Sequence, residues 1–341
     1  MSPELAATLA KLGLWVVALL QVAPVMLWLE RRAPAFMQDR LGPNRVGPLG
    51  LLQGIADAAK FIFKEDINPS GVDRPLYILA PMLALVPALT TMLVLPFGPT
   101  VEIAGHRTPL VVIDSDAGIL LFLALASLGV YSLVLAGWSS NNKWSLIGSI
   151  RASAQMVSYE LALATAVVCA LIPATSLNLT DIVEYQRQGV WQLFTQPLGF
   201  LVFLVASFAE TNRLPFDLPE AESELVAGYH TEYSGMRFAL FFMGEYMSMT
   251  TLSALGVTLY FGGWTLPFVD FTQFAGWVQA LLGFGVVMAK VGLMLFFFIW
   301  VRWTFPRFRY DQLMRLGWKV LLPLAVLQFV VTAAMTVGGI L

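Results

Sequence analysis

Charge is what this sequence lacks most. Asp, Glu, Lys and Arg supply 12% of its 341 residues, against roughly 25% in an average soluble domain. Hydrophobic residues supply 58%. A soluble fold of that composition needs a very large core and almost no surface; a bilayer takes the place of that core. The net charge is −2, so no basic field argues for nucleic acid. Cysteine is nearly absent: Cys169 is alone, and His106 and His230 are the only histidines. One thiol excludes an intramolecular disulfide, and no Cys/His cluster exists for zinc or an iron–sulfur centre. The expectation is a chain with no covalently bound or metal cofactor of its own. Nucleotide loops are missing as well, since no GxGxxG follows a strand and no Walker sequence occurs. No nucleophile–base pair is evident. Basic residues follow the first apolar stretch rather than precede it, so no cleavable signal peptide is expected.

What is present is a series of long apolar runs. A spanning helix needs about 20 mostly apolar residues. Eight runs qualify, at 9–29, 76–96, 117–137, 154–174, 190–209, 238–260, 276–301 and 320–341. The weakest is 190–209, whose first half holds Gln192 and Gln196. No fixed-period repeat and no hydrophilic linker divides the chain. The predicted fold is therefore an all-α integral membrane protein, one polytopic domain over 1–341 of about eight tilted helices. Sixteen of the 20 Lys and Arg residues fall in loops 30–75, 138–153, 210–237 and 302–319. The positive-inside rule puts those loops in the cytoplasm and both termini on the periplasmic side.

Three segments carry chemistry. The first loop opens Glu30-Arg31-Arg32, passes Arg40 and Arg45 in a Gly/Pro-rich turn, and ends in an amphipathic stretch, Leu49–Lys64. There Gln53, Asp57, Lys60 and Lys64 form a polar stripe opposite Leu52, Ile55, Ala59 and Phe63. Such a helix lies in a membrane interface beside an opening for a lipid-like substrate, or packs on a partner. The third loop, 210–237, inverts the local charge with six acids against two arginines, and its run Glu210–Gly235 holds all six acids. Asp217 and Glu220 have capping-box spacing, so a short helix is predicted there with Glu220 and Glu224 on one face and Glu222 opposed. Crowded acids beside a membrane suit proton uptake and release; they equally suit docking of a basic partner. The last loop is basic and aromatic, as a topology determinant beside anionic headgroups is.

Glu160, Glu245 and Lys290 fall inside apolar runs. Each costs roughly 2.5–3.5 kcal/mol at the bilayer centre on insertion scales, so a functional role is their default reading, with a structural ion pair or a snorkelling side chain as the alternative. Counting about 1.5 Å per residue places Glu160 shallow and the other two near the midplane. That similar depth predicts that Glu245 and Lys290 interact, directly or through water.

These segments resemble the H-subunit family of bacterial NADH-quinone oxidoreductase, homologous to a mitochondrially encoded core subunit of respiratory complex I. The matching stretches are Glu30–Arg32, Arg40–Lys64, Ser158–Glu160, Glu210–Gly235, Phe241–Tyr246 and Trp300–Leu322. They run through essentially the whole chain in the family's order, and Glu210–Gly235 is the most specific. Residues 97–116 and 175–190 match only loosely. The resemblance implies a bundle at the joint of the membrane and peripheral arms, forming much of a quinone chamber and its opening. It implies that quinone (ubiquinone or menaquinone) is the substrate, reduced by an iron–sulfur cluster on a neighbouring subunit. The chain is then one subunit of a proton-translocating enzyme of the respiratory chain, in the bacterial inner membrane. Its partners are the cluster-bearing and headgroup-binding peripheral subunits, small membrane subunits and lipids. Carried over by motif, the proton-coupling acids are Glu160, Glu210, Asp217, Glu220, Glu222, Glu224 and Glu245, to which the buried Lys290 is added from its position. Arg31, Arg32, Arg40, Arg45 and Phe216 fall to the quinone chamber.

Two other readings compete. The anchor subunit of membrane-bound hydrogenases is related, but its loop at 210–235 is less acidic and differently worded. A secondary transporter would use buried Glu and Lys, but it predicts internal repeats with matching broken helices, which are not found.

Overall fold

Thirteen helices form among the described residues of the computed structural model, which are 3–103, 106–219, 222–267, 269 and 273–339. In chain order they are α1 (Pro3–Met37), α2 (Gln53–Phe63), α3 (Arg74–Met92), α4 (Gly118–Ser139), α5 (Lys143–Ala174), α6 (Leu179–Gln188), α7 (Gln192–Thr195), α8 (Pro197–Glu210), α9 (Glu222–Leu225), α10 (Gly235–Tyr260), α11 (Gly276–Thr304), α12 (Tyr310–Leu316) and α13 (Leu322–Val337). A two-stranded antiparallel hairpin, Val101–Ile103 with His106–Thr108, follows α3. A π-helical turn, Gly317–Leu321, joins α12 to α13. The protein is an all-α membrane protein. Among the described residues, five helical segments are long and apolar enough to cross a bilayer: α3, α4, α5, α11 and the continuous α12–α13 segment Tyr310–Val337. The other three apolar runs fall on α1, on α7 with α8, and on α10.

α5 is the centre of the bundle. It packs against α4, α8 and α13, while α3 bridges α4 and α10. α10 departs from a uniformly apolar span because it carries Thr250, Thr251, Ser253 and Thr258, all buried. Each hydroxyl donates to the carbonyl four residues back, at 2.7 to 2.9 Å. The helix thus satisfies its own polar groups, which a span requires where no water reaches.

Two local features differ from a simple reading of hydropathy. The run 190–209 is not one helix. Gln196 leaves helical geometry and Pro197 restarts the chain as α8, which at 14 residues is about 21 Å long, short of a bilayer core of about 30 Å. The interfacial stretch forms α2, preceded by a 3-10 turn at Pro48–Gly50. α2 packs on α1 and α10 through Gly54, where a Cβ would lie 2.7 Å from the Pro24 side chain and 2.8 Å from its Cα. Ile55, Ile62 and Phe63 face outward and are exposed, so one apolar side of α2 finds no cover within this chain.

Candidate functional site

The C-terminal end of α1, the loop after it, the first half of α10 and the end of α11 enclose a cavity of about 470 Å³. Its lining includes Glu30, Arg31, Arg40, Phe242, Tyr246 and Arg302. Behind that wall lies a dense charge network. Arg213, from the loop after α8, is 4% exposed and Glu30 is 7% exposed. The Arg213 Nη1 donates to both Glu30 oxygens, at 3.0 and 3.3 Å. Its Nε ion-pairs with Glu245, and its guanidinium lies 4.5 Å over the Tyr246 ring. The Tyr246 hydroxyl donates to Glu30 Oε2 at 2.5 Å, and Arg302 ion-pairs with Glu30 Oε1. Four elements therefore converge on one carboxylate pair: α1 brings Glu30, α10 brings Glu245 and Tyr246, the acidic loop brings Arg213, and α11 brings Arg302.

Such a cluster holds two carboxylates against two guanidiniums where little water reaches. Buried charges persist only when paired and hydrogen-bonded, and removing one partner of such a pair typically costs about 3–5 kcal/mol. A charge arriving in the cavity perturbs the whole set, because Glu30 and Arg302 belong to both the wall and the network.

The predicted chamber arginines separate. Arg31 and Arg40 line the cavity, and Arg31 also pairs with Asp57 of α2 at 2.8 Å. Arg32 turns away, donating to the Leu49 carbonyl at 2.5 Å and lying over Trp28 and Phe36. Arg45 is exposed. Phe216 is buried between Tyr159 and Phe308, outside the cavity lining.

The acids also separate. Glu160 is half-buried on α5. Glu210 ends α8, is buried, and is close enough to Glu160 for the two charges to interact; its Oε2 makes no hydrogen bond among the described residues. Asp217 pairs with Arg307 at 2.7 Å, and Glu224 with Arg151 at 2.7 Å. The short helix predicted from a cap at Asp217 does not start there, since residues 218 and 219 form a turn; the described helix is α9, Glu222–Leu225. Glu220 lies outside the described residues, as does the side chain of Glu222.

Lys290 and Glu245 do not pair. The Lys290 ammonium donates to the carbonyls of Phe261, Gly263 and Thr265, at 2.6, 2.9 and 2.5 Å, and sits 4.3 Å from the Trp191 ring centre. Phe261 follows the end of α10, sixteen residues beyond Glu245, or about 24 Å along the helix. Counting residues from each helix end gave the two a common depth, but Lys290 reaches the far end of α10 with its long arm.

Sequence reasoning did not single out Glu30, Arg213, Tyr246 or Arg302 as one site. A signal for them existed. Glu30 and Arg302 sit at the same predicted end of two spans with opposite charge, and Arg213 is a cation set within an acidic run.

Comparison with known proteins bears on this arrangement. The family pattern described as NADH dehydrogenase matches residues 10–333. The chain is similar to the first of the H subunits of NADH-quinone oxidoreductase of Geobacter metallireducens, with 49% identity over 96% of each chain. It is similar to NADH-quinone oxidoreductase subunit 8 of Rhodothermus marinus, with 50% identity over 93% of each. A third relative, the first of the H subunits of NADH-quinone oxidoreductase of Cytophaga hutchinsonii, is 45% identical over 92% of each.

Proposed function

We infer the function from one premise: this chain belongs to the NADH dehydrogenase family, alongside proteins named as the H subunit of NADH-quinone oxidoreductase. It is a membrane subunit of a complex I-type enzyme that passes electrons to quinone. We propose that the cavity bounded by Glu30, Arg31, Arg40, Tyr246 and Arg302 is part of the quinone chamber, and that the network behind it couples quinone chemistry to proton movement.

The single observation that supports this reading is the shared wall. Glu30 and Arg302 line the cavity and are also bonded into the buried set with Arg213, Tyr246 and Glu245. About 470 Å³ falls within the roughly 300–1,000 Å³ of small-molecule sites. Quinone reduction places negative charge on the headgroup until protons arrive. A charge of that sign near Arg302 and Arg31 competes with Glu30 for its cations. Glu30 and Glu245 then hold protons more readily, and they give them up when neutral quinol forms. The acidic loop follows, because Arg213 belongs to it: Asp217, Glu220, Glu222 and Glu224, with the buried pair Glu160 and Glu210, are assigned to the same proton coupling. Asp217 and Glu224 are paired with this chain's own arginines, which speaks for coupling over docking. The cluster that delivers electrons sits on a peripheral partner, with loops 30–75, 138–153, 210–237 and 302–319 on the cytoplasmic side of a bacterial inner membrane. The proposed span count is eight, with α1, α10 and the broken segment α7–α8 together crossing beside the five strongly apolar segments.

A photoreactive quinone analogue tests the chamber in the assembled complex. Crosslinks on peptides containing Leu27–Pro43, Phe242–Tyr246 or Arg302–Trp303, reduced by excess quinone, are expected. Labelling of this chain only at other positions contradicts the assignment.

A further inference from the structure

The second cavity lies at the opposite end of the bundle. It measures about 950 Å³ and is lined by residues of α6, α7 and the turn after α10, among them Gln186, Trp191, Trp264 and Thr265. Tyr260, at the end of α10 beside this cavity, is fourteen residues beyond Tyr246 of the first cavity, about 21 Å along the helix. Asp181, Glu184 and Arg187 stand on its lining, and the last two pair with each other. Lys290 stands behind this lining, its ammonium in contact with the lining residues Thr265 and Trp191.

The turn under that ammonium is built for it. Gly262 and Gly263 both take positive φ, 66° and 50°, and a Cβ on Gly262 would lie 2.5 Å from the Trp191 ring nitrogen. Only glycine reaches this conformation without strain, and it turns the carbonyls of residues 261, 263 and 265 onto one point. A cation there also meets the negative end of the α10 dipole.

A line of buried amides leads inward from the same place. Gln186 Oε1 accepts from the backbone of Gly262 at 3.0 Å and of Gln192 at 3.3 Å. Gln192 donates to the Ala170 carbonyl of α5 at 2.9 Å, while its Oε1 makes no hydrogen bond among the described residues. Gln196, fully buried, makes none with either amide atom among the described residues. Gly199, Tyr260 and Gln328 adjoin it: a Cβ on Gly199 would lie 3.4 Å from the Tyr260 hydroxyl and 3.7 Å from Gln196 Oε1. Tyr260 donates to Ala166 of α5 at 3.0 Å. Glu160 lies six residues before Ala166, about 9 Å away along α5. Buried polar atoms left without partners are rare, and ordered water is their usual partner when no protein group serves.

We propose that this amide line is a hydrated half-channel rising from the second cavity toward Glu160, and that Lys290 is the fixed charge that closes its mouth to protons. Pores exclude protons and cations by positive groups placed at a constriction. Lys290 is held there by three carbonyls and a ring, so its charge does not wander. The neutral glutamines carry water but add no charge of their own. The inference rests on the reading of the chain as part of a proton-translocating complex, in which a polar line through the bundle must be kept from short-circuiting the gradient.

The test uses the whole complex in sealed liposomes, without electron donor, and follows the decay of an imposed pH gradient. Lys290→Gln keeps donors for the carbonyls but removes the charge; proton leak per assembled complex rises severalfold. Lys290→Arg keeps the charge and stays near the wild type. Adding Gln196→Leu to Lys290→Gln breaks the line and restores tightness. A tight Lys290→Gln complex overturns the proposal, as does a leak that Gln196→Leu leaves unchanged. Should Lys290→Gln fail to assemble, Trp191→Leu loosens the ammonium's seat with the lysine in place, and the same leak and the same relief by Gln196→Leu are expected. Quinone reductase rates of the same preparations keep the two readings apart. Tight membranes with normal quinone reduction remove only the gate, whereas a wild-type complex inactive toward quinone removes the assignment it rests on.

Discussion

Arg213 shows why single residues in this chain are best understood by what they neutralise. It is buried between Glu30 and Glu245 and lies over Tyr246, so its removal leaves two carboxylates with one cation fewer. Arg213→Met is expected to cost about 3–5 kcal/mol, the range for breaking a buried pair, and to reduce the assembled complex recovered in mild detergent. Glu245→Gln combined with Arg213→Met is expected to cost less than the separate effects together, because the double variant leaves a smaller charge imbalance. Glu245→Gln with Lys290→Gln is expected to be additive within about 0.5 kcal/mol, as distant sites are. A thermal-shift double-mutant cycle on the complex checks both. Coupling of Glu245 to Lys290 in place of Arg213 contradicts the structure's account of this site.

The acids of the loop divide by exposure at the same scale. The Asp217 side chain is 13% exposed in its pair with Arg307, against 54% for Glu224 in its pair with Arg151. Exposed pairs contribute roughly 0–1 kcal/mol. Asp217→Asn should therefore lower the melting temperature of the complex more than Glu224→Gln, and salt should erase the second effect first. Equal shifts in both variants contradict the ranking.

At the scale of elements, α2 is the piece whose placement matters most to the first cavity. Its amphipathic pattern was legible because helix periodicity depends only on sequence order. Its contact with α1 was not, since Gly54 against Pro24 is an approach between residues thirty apart. Gly54→Ala forces the helices apart, and overpacking of this kind costs about 1–3 kcal/mol. The expected outcome is lower thermal stability and slower quinone reduction, since Asp57 of α2 also holds the cavity residue Arg31. Unchanged stability would show that α2 moves freely on α1. α8 illustrates the converse. Hydropathy sees one run from 190 to 209, but the break at Gln196 and Pro197 is a backbone event inside apolar surroundings, and hydropathy averages it away. α10 matches the run read at 238–260, and its hydroxyls, polar in a hydropathy sum, are satisfied within the helix.

For the whole molecule, the membrane class and the family were legible from composition, from the acidic loop and from the order of the motifs. The Glu30–Arg213–Glu245–Arg302 network was not, because its members are separated by up to 272 positions and meet only when α1, α10 and α11 close on the loop after α8. Depth counting failed for Lys290 for the same reason, since a side chain's reach and its neighbours' offsets are tertiary facts. The structure places the two cavities at opposite ends of α10, with the charge network at one and the Lys290 cage at the other. The central claim is that charge in the first cavity acts through Glu30. Its most direct test is the quinone reductase rate per assembled complex, with proton pumping, for Glu30→Gln. The amide keeps the shape and accepts from Tyr246 but carries no charge and does not titrate. The predicted result is an assembled complex whose clusters are still reduced by the electron donor, while quinone reduction and pumping fall severalfold. Normal rates of both in that variant would contradict it.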